Sequence, residues 1–151
     1  MPAPVLPPPD RDIARYLPGM WLLRSREDHD AAGRRHIDPA LGADPLGVLT
    51  FAPGRFAAQF MSREARTATG GSGANNSSAI NGYDGYFGTY TLDEAAGTIT
   101  VRLEGSVTRG DIGKSFIRAI RANAEELIIQ LPTTTPEGVA ITRTLRFARA
   151  K

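Results

Sequence analysis

Short apolar segments separated by turn signals run along almost the whole sequence, and this rhythm constrains the fold more than any other feature. Within the segments, apolar and polar residues alternate, as in Ile99-Thr100-Val101-Arg102-Leu103. This period of two is typical of β-strands with one buried face. Turn signals such as Ala52-Pro53-Gly54 and the segment 93–97 separate the strands. The pattern therefore predicts an all-β protein.

Eight strands are predicted, over residues 20–26, 46–51, 55–61, 86–92, 98–106, 115–121, 126–131 and 139–149. A short helix over residues 11–17, with Asp10 as its N-cap, precedes them and ends at Pro18-Gly19. Residues 78–81 are a second possible interruption. The short connections favour antiparallel pairing, and closure of eight strands removes the exposed edges. The sequence therefore predicts an eight-stranded antiparallel barrel with a short N-terminal helix.

A chain of 151 residues suffices for one domain but is short for two. We expect a flexible, proline-rich arm over residues 1–9 and a single barrel domain over residues 10–151. The polar, glycine-rich segment 67–78 interrupts the strand rhythm. A loop of this length is typically a lid, a binding loop or a mobile surface segment, and the sequence does not choose among these.

Charge and composition exclude several classes of protein. The 18 basic and 16 acidic residues are interspersed, so no nucleic-acid partner is predicted. No segment approaches the roughly 18 apolar residues of a membrane span, and the N-terminus lacks the pattern of a signal peptide. The absence of cysteine excludes disulfides, thiolate-bound metals and a cysteine nucleophile. We therefore expect a cytoplasmic protein without a membrane partner.

Cofactor motifs are also missing. Gly113-Lys114-Ser115 resembles the end of a phosphate-binding loop, but Thr108 occupies the position of the required leading glycine. Neither a dinucleotide-binding glycine pattern nor a nucleophile elbow is present. The only histidines, His29 and His36, lie beside aspartates at a spacing that matches no recognised metal site. No cofactor and no metal are predicted.

Strand alternation suggests which residues face the interior of the barrel, its lumen. Small residues interleaved with aromatic ones leave room for one small ligand. Glu104 and Tyr90 are the catalytic candidates, because a carboxyl desolvated in an apolar strand has a raised pKa and can transfer protons. The alternative is that Glu104 pairs with an arginine outside and that the tyrosines belong to the core. Arg26 is expected to be exposed. The ligand-binding candidates are Ser25, Gln59, Tyr83, Tyr86, Tyr90, Arg102 and Arg118.

Gly19-Met20-Trp21, which follows the short helix, resembles the G-x-W signature of lipocalins. Together with the segments 44–51, 53–61, 86–90 and 97–106 and the final strand, it makes residues 12–149 similar to the bacterial lipocalin-like domain family. The resemblance implies a calycin-type β-barrel. It also implies that Trp21 plugs the closed end and stacks on Arg149.

The chain departs from the family pattern in two places. Val101 and Arg102 stand where members often carry histidines, so a function that depends on those histidines is not carried over. The polar segment 67–78 replaces a more helical stretch.

The resemblance implies a barrel, open at one end, that holds a small organic molecule. The first hypothesis is an intracellular module, monomeric or homodimeric, that binds a hydrophobic or aromatic molecule. The alternative is a cofactor-free cyclase, isomerase or lyase that acts on a reactive intermediate of secondary metabolism, so enzymatic activity remains open. A third reading is a filled barrel with a structural role. A buried Glu104 or Arg118 facing a cavity favours the enzyme, since unpaired buried charge is costly.

Overall fold

The computed structural model describes residues 3–9, 12–64 and 79–151. The segment 67–78 and the expected N-cap Asp10 lie outside the described residues.

Eight long strands form a closed antiparallel barrel. Each of them pairs with the next along the chain, and the last pairs with the first. The strands follow a one-turn helix, α1 (Ile13–Tyr16), and a two-residue strand, β2 (Arg35–His36), pairs with the far end of β1 (Gly19–Asp30). The predicted architecture is confirmed. The strands are β1 (Gly19–Asp30), β2 (Arg35–His36), β3 (Leu46–Ala52), β4 (Arg55–Met61), β5 (Tyr83–Asp93), β6 (Thr98–Ser106), β7 (Ser115–Ala122), β8 (Glu126–Thr134) and β9 (Ala140–Arg149).

A tryptophan and an arginine close one end of the barrel. Trp21 on β1 is fully buried and lies opposite Arg149 on β9. The guanidinium carbon of Arg149 lies 4.2 Å from the centre of the indole ring, which is a cation–π geometry. The indole N–H donates to the carbonyl of Leu17 at 3.0 Å, and Arg149 donates to the carbonyls of Pro18 and Ala124. These contacts tie the first strand, the last strand and the helix together.

A β-bulge in β1 changes which side chains face the lumen. Leu23 lies opposite Phe147, but Ser25 lies opposite Arg146, so β1 carries one extra residue at this point. The alternation shifts by one position beyond the bulge, and Arg26 turns inward. The expectation that Arg26 is exposed is therefore wrong, because the residue is only 4% exposed.

Residues 3–9 lie against the outside of β7 and β8. Arg121 on β7 donates to the carbonyl of Pro7, and Gln130 on β8 donates to the carbonyl of Pro4 at 2.8 Å. This segment contributes nothing to the lumen.

We predict that Trp21→Ala lowers the free energy of unfolding by about 3–5 kcal/mol, because it removes a fully buried ring and the surface on which Arg149 stacks. Denaturant unfolding followed by circular dichroism measures the change. Met20→Ala is the matched control, because Met20 is exposed on the opposite face of the strand. Equal effects of the two substitutions would contradict the assignment of Trp21 to the plug.

Candidate functional site

The lumen contains a cavity of about 60 Å³. Its walls come from seven of the eight barrel strands and from the short 3₁₀ turn after β6 (Arg109–Asp111). Most lining side chains are aliphatic or aromatic. They are Leu49, Phe51, Phe56, Phe60, Tyr86, Ile99, Val101, Leu103, Phe116, Ile129, Leu145 and Phe147.

Four further polar side chains line the same cavity: Asp84, Ser106, Asp111 and Arg118. Asp111 is buried and its Oδ1 accepts from Lys114 Nζ at 3.1 Å, so its charge is compensated. The cavity therefore combines an apolar wall with a small polar region that contains both signs of charge.

Asp84 is the most unusual group in the cavity. The residue is 2% exposed, and its Oδ2 has no hydrogen-bond partner among the described residues. Burial raises the pKa of this carboxyl from 3.8 to about 6, and the nearby Asp111 and Asp38 add to the increase. Arg26 and a hydrogen bond from the backbone of Gly85 act in the opposite direction. A buried acceptor without a partner is rare in proteins and therefore needs an explanation.

Arg118 brings a positive charge to the same cavity. Its guanidinium lies 5.0 Å from the centre of the Phe116 ring, and its Nη1 donates to the carbonyl of Ile117 at 3.2 Å. Burial lowers its pKa, and repulsion from Arg143 contributes in the same direction. Within the described part of the chain, no carboxylate lies within 4.0 Å of this guanidinium.

Two arginines and two aspartates form a buried network close to Asp84. Arg143 binds Asp28 through two hydrogen bonds, of 2.8 and 2.9 Å. Arg26 binds Asp38 at 3.0 Å, and Arg143 lies 3.7 Å from the same carboxylate. All four side chains are almost completely buried, so each charge depends on its partner for stability.

The acidic residues that lie near the two histidines in the sequence are Asp28, Asp30 and Asp38. Asp28 and Asp38 belong to this network, and Asp30 forms a separate contact. Asp30, at the end of β1, binds His36 at 2.8 Å, and this hydrogen bond is the main reason that its pKa falls to about 2. Among the residues that the structure describes, no three potential ligands cluster in a way that could hold a metal ion.

Only two of the predicted ligand-binding residues line the cavity, Tyr86 and Arg118. Tyr90 packs against the core, with its ring 5.3 Å from that of Phe51 in an edge-to-face arrangement, and does not line the cavity. Ser25 lies opposite the outward-facing Arg146 because of the bulge in β1, which corrects its expected lumen position.

The other predicted site residues lie on the outer surface, which corrects their expected placement in the lumen. Glu104 accepts from Arg55 Nη1 at 2.7 Å, and both side chains are exposed. This is the outer ion pair considered as the alternative for Glu104. Gln59, Arg102 and Tyr83 are also exposed. Their strands alternate, and the apolar neighbours of these residues occupy the lumen side.

Three polar residues of the cavity, Asp84, Ser106 and Asp111, were not predicted as site residues. Asp84 lies two residues before the predicted start of its strand, so the predicted strand did not place it on the same face as Tyr86. Gly88, further along the same face, is required by packing, since a Cβ there would lie 1.9 Å from the carbonyl oxygen of Arg102. That close approach accompanies a register shift between β5 and β6.

A family model described as a lipocalin-like domain matches residues 18–149. The chain belongs to the lipocalin-like domain family. The match covers the whole barrel, from the residue before β1 to the end of β9, and confirms the resemblance seen in the sequence. A search of curated proteins found no match. No helix in the described ranges is long and apolar enough to cross a membrane.

We predict that the stability of the protein depends on the ionisation of Asp84. The folded-state pKa is higher than the unfolded value, so the unfolded state releases its proton first as the pH rises. Between about pH 4 and pH 6 the free energy of unfolding therefore falls, by up to about 3 kcal/mol, and does not recover above that range.

Denaturant unfolding at a series of pH values, compared with Asp84→Asn, isolates this contribution. The variant lacks the titrating group, so we expect its stability relative to the wild type to increase as the pH rises. Glu104→Gln is the control, because Glu104 is an exposed carboxyl on the outer surface. A constant difference between Asp84→Asn and the wild type would contradict the prediction.

Proposed function

We propose that the protein binds a small hydrophobic or aromatic molecule in its lumen. The observation that carries this proposal is the cavity, whose wall is mostly apolar and aromatic and contains a few polar groups. This combination is typical of small-molecule sites, in which apolar walls supply affinity and sparse polar groups set orientation. Membership of the lipocalin-like family supports ligand binding in general.

The size of the cavity limits the ligand. Its volume of about 60 Å³ is far below the roughly 300–1,000 Å³ of typical ligand pockets, and below the roughly 150 Å³ of a cavity that admits benzene. A ligand with a ring must therefore displace side chains. Phe116 and Arg118 are half-buried in the cavity wall, and rotation of these two side chains would enlarge the space.

We predict that Val101→Trp abolishes ligand binding, because the larger ring fills the cavity that Val101 lines. Ile117→Trp, which adds the same ring on the exposed outer face of the adjacent strand, should leave binding unchanged. Native mass spectrometry of freshly purified protein tests for a co-purified molecule, and titration with toluene followed by ligand-observed NMR tests binding directly. Equal binding by the two variants would place the ligand outside the lumen.

A second candidate function is cofactor-free isomerisation, and the observation that favours it is the buried Oδ2 of Asp84, which has no hydrogen-bond partner among the described residues. An acid–base group works best when its pKa lies near the working pH. In this scheme, ionised Asp84 takes a proton from the carbon between the carbonyl and the double bond of a β,γ-unsaturated ketone. Arg118 stabilises the resulting dienolate oxygen, and Asp84 returns the proton to the γ-carbon, which leaves the conjugated ketone.

For this second function we expect the wild type to convert cyclohex-3-enone to its conjugated isomer, measured as an increase in ultraviolet absorbance. The rate should rise with pH through about 6, as Asp84 ionises, and Asp84→Asn should lower it by about 100-fold or more. Glu104→Gln is the control and should retain the full rate. A wild-type rate equal to that of buffer would remove the support for this candidate.

We further propose a cytoplasmic location, which the absence of cysteine supports. The proposed binding function requires only the small-molecule ligand as a partner. The binding function applies equally to a monomer and to a homodimer.

A further inference from the structure

We propose that the lumen selects a ligand whose ring carries two polar groups, a hydroxyl or N–H donor for Asp84 and a carbonyl or carboxylate oxygen for Arg118. This inference rests on the proposed function and names the class of ligand that the same cavity would take. It follows from how the buried charges of this region are paired.

Most of the charges around the cavity are matched within the protein. Asp28 and Asp38 bind Arg143 and Arg26, and Asp111 binds the lysine at position 114. These pairs satisfy the general rule that buried charge is stable only when it is compensated.

Asp84 and Arg118 are the two charged residues of the cavity wall that do not belong to these ion pairs. Both line the cavity, and no ion pair joins them within 4.0 Å. Asp84 offers a bare acceptor, Oδ2, and Arg118 offers guanidinium N–H groups that are not engaged by a carboxylate. A ligand that bridges the two would supply a donor to Asp84 and an acceptor to Arg118, and would remove the cost of leaving the buried Oδ2 of Asp84 without a partner.

The apolar part of the cavity specifies the remainder of the ligand. Phe51, Phe56 and Phe60 on β3 and β4, together with Tyr86, line the same cavity as the two charged groups. Their rings pack in tilted and edge-to-face arrangements, with centroids 6.0–6.5 Å apart for the pairs Phe51–Phe56, Phe56–Tyr86 and Phe60–Tyr86. A flat, aromatic or unsaturated body fits such a wall best.

Five matched probes test the inference. 4-(Hydroxymethyl)acetophenone and its 3-isomer carry a hydroxyl donor and a carbonyl acceptor, acetophenone lacks the hydroxyl group, benzyl alcohol lacks the carbonyl group, and toluene lacks both. None of these probes titrates between about pH 5 and pH 8, so changes with pH come from the protein. Dissociation constants are measured by ligand-observed NMR.

We expect the wild type to bind at least one hydroxymethyl isomer about tenfold more tightly than acetophenone or benzyl alcohol. Asp84→Leu should remove the preference for the hydroxyl group, and Arg118→Met should remove the preference for the carbonyl group, with toluene binding retained in both variants. Glu104→Leu and Arg55→Met remove the exposed outer pair and are the matched controls, which should leave both preferences unchanged.

The wild type alone gives a second measurement that does not depend on the folding of any variant. Asp84 accepts a hydrogen bond more strongly when ionised, so the preference for the hydroxyl group should increase between about pH 5 and pH 7.5. The charged groups that act on Asp84 are Arg26, Asp38 and Asp111, and each of the three is held in an ion pair.

The outcomes separate the two proposals. If toluene binds but the preference for the hydroxyl group is absent, or is unaffected by pH and by Asp84→Leu, this inference is overturned and lumen binding stands. If no probe binds, or if Val101→Trp binds the probes as the wild type does, both are overturned.

Discussion

The stacking of Arg149 on Trp21 is the contact on which the rest of the barrel depends. It joins the first strand to the last at one end of the seam that closes the sheet, and it does so where the helix covers that end. The eight long strands form a closed sheet, so each of them has a partner on both sides. The buried ion pairs of Arg26 and Arg143 lie further along β1 and β9, away from this end.

The barrel architecture could be predicted from the sequence because it depends on repeated local signals. Each of the eight strands shows a period of two, and turn residues mark most connections, so an error at one boundary does not change the fold. The role of Trp21 as a plug was predicted from the resemblance of Gly19-Met20-Trp21 to the G-x-W signature of lipocalins. The outward position of Arg102 and Glu104 could also have been predicted, since strand alternation places both on the face opposite the apolar residues of β6.

The candidate site was much less predictable, because it depends on single-residue shifts. One extra residue in β1 turns Ser25 outward and Arg26 inward, and no local pattern marks the bulge. Asp84 lies at the start of a strand beside a polar segment, where an acidic residue is ordinarily exposed. Asp84 is buried all the same, and the charges of Arg26 and Asp38, which are distant in sequence, act on it. Pairing between charges that are far apart in sequence cannot be deduced from spacing.

The position of Trp21 also determines what intrinsic fluorescence can report. It is the only tryptophan in the sequence, it is fully buried, and a guanidinium lies over its ring. Trp21 does not line the cavity. Its emission therefore reads out the integrity of the plug and the docking of the helix. Occupancy of the lumen has to be followed through other chromophores, such as Tyr86 or the ligand itself.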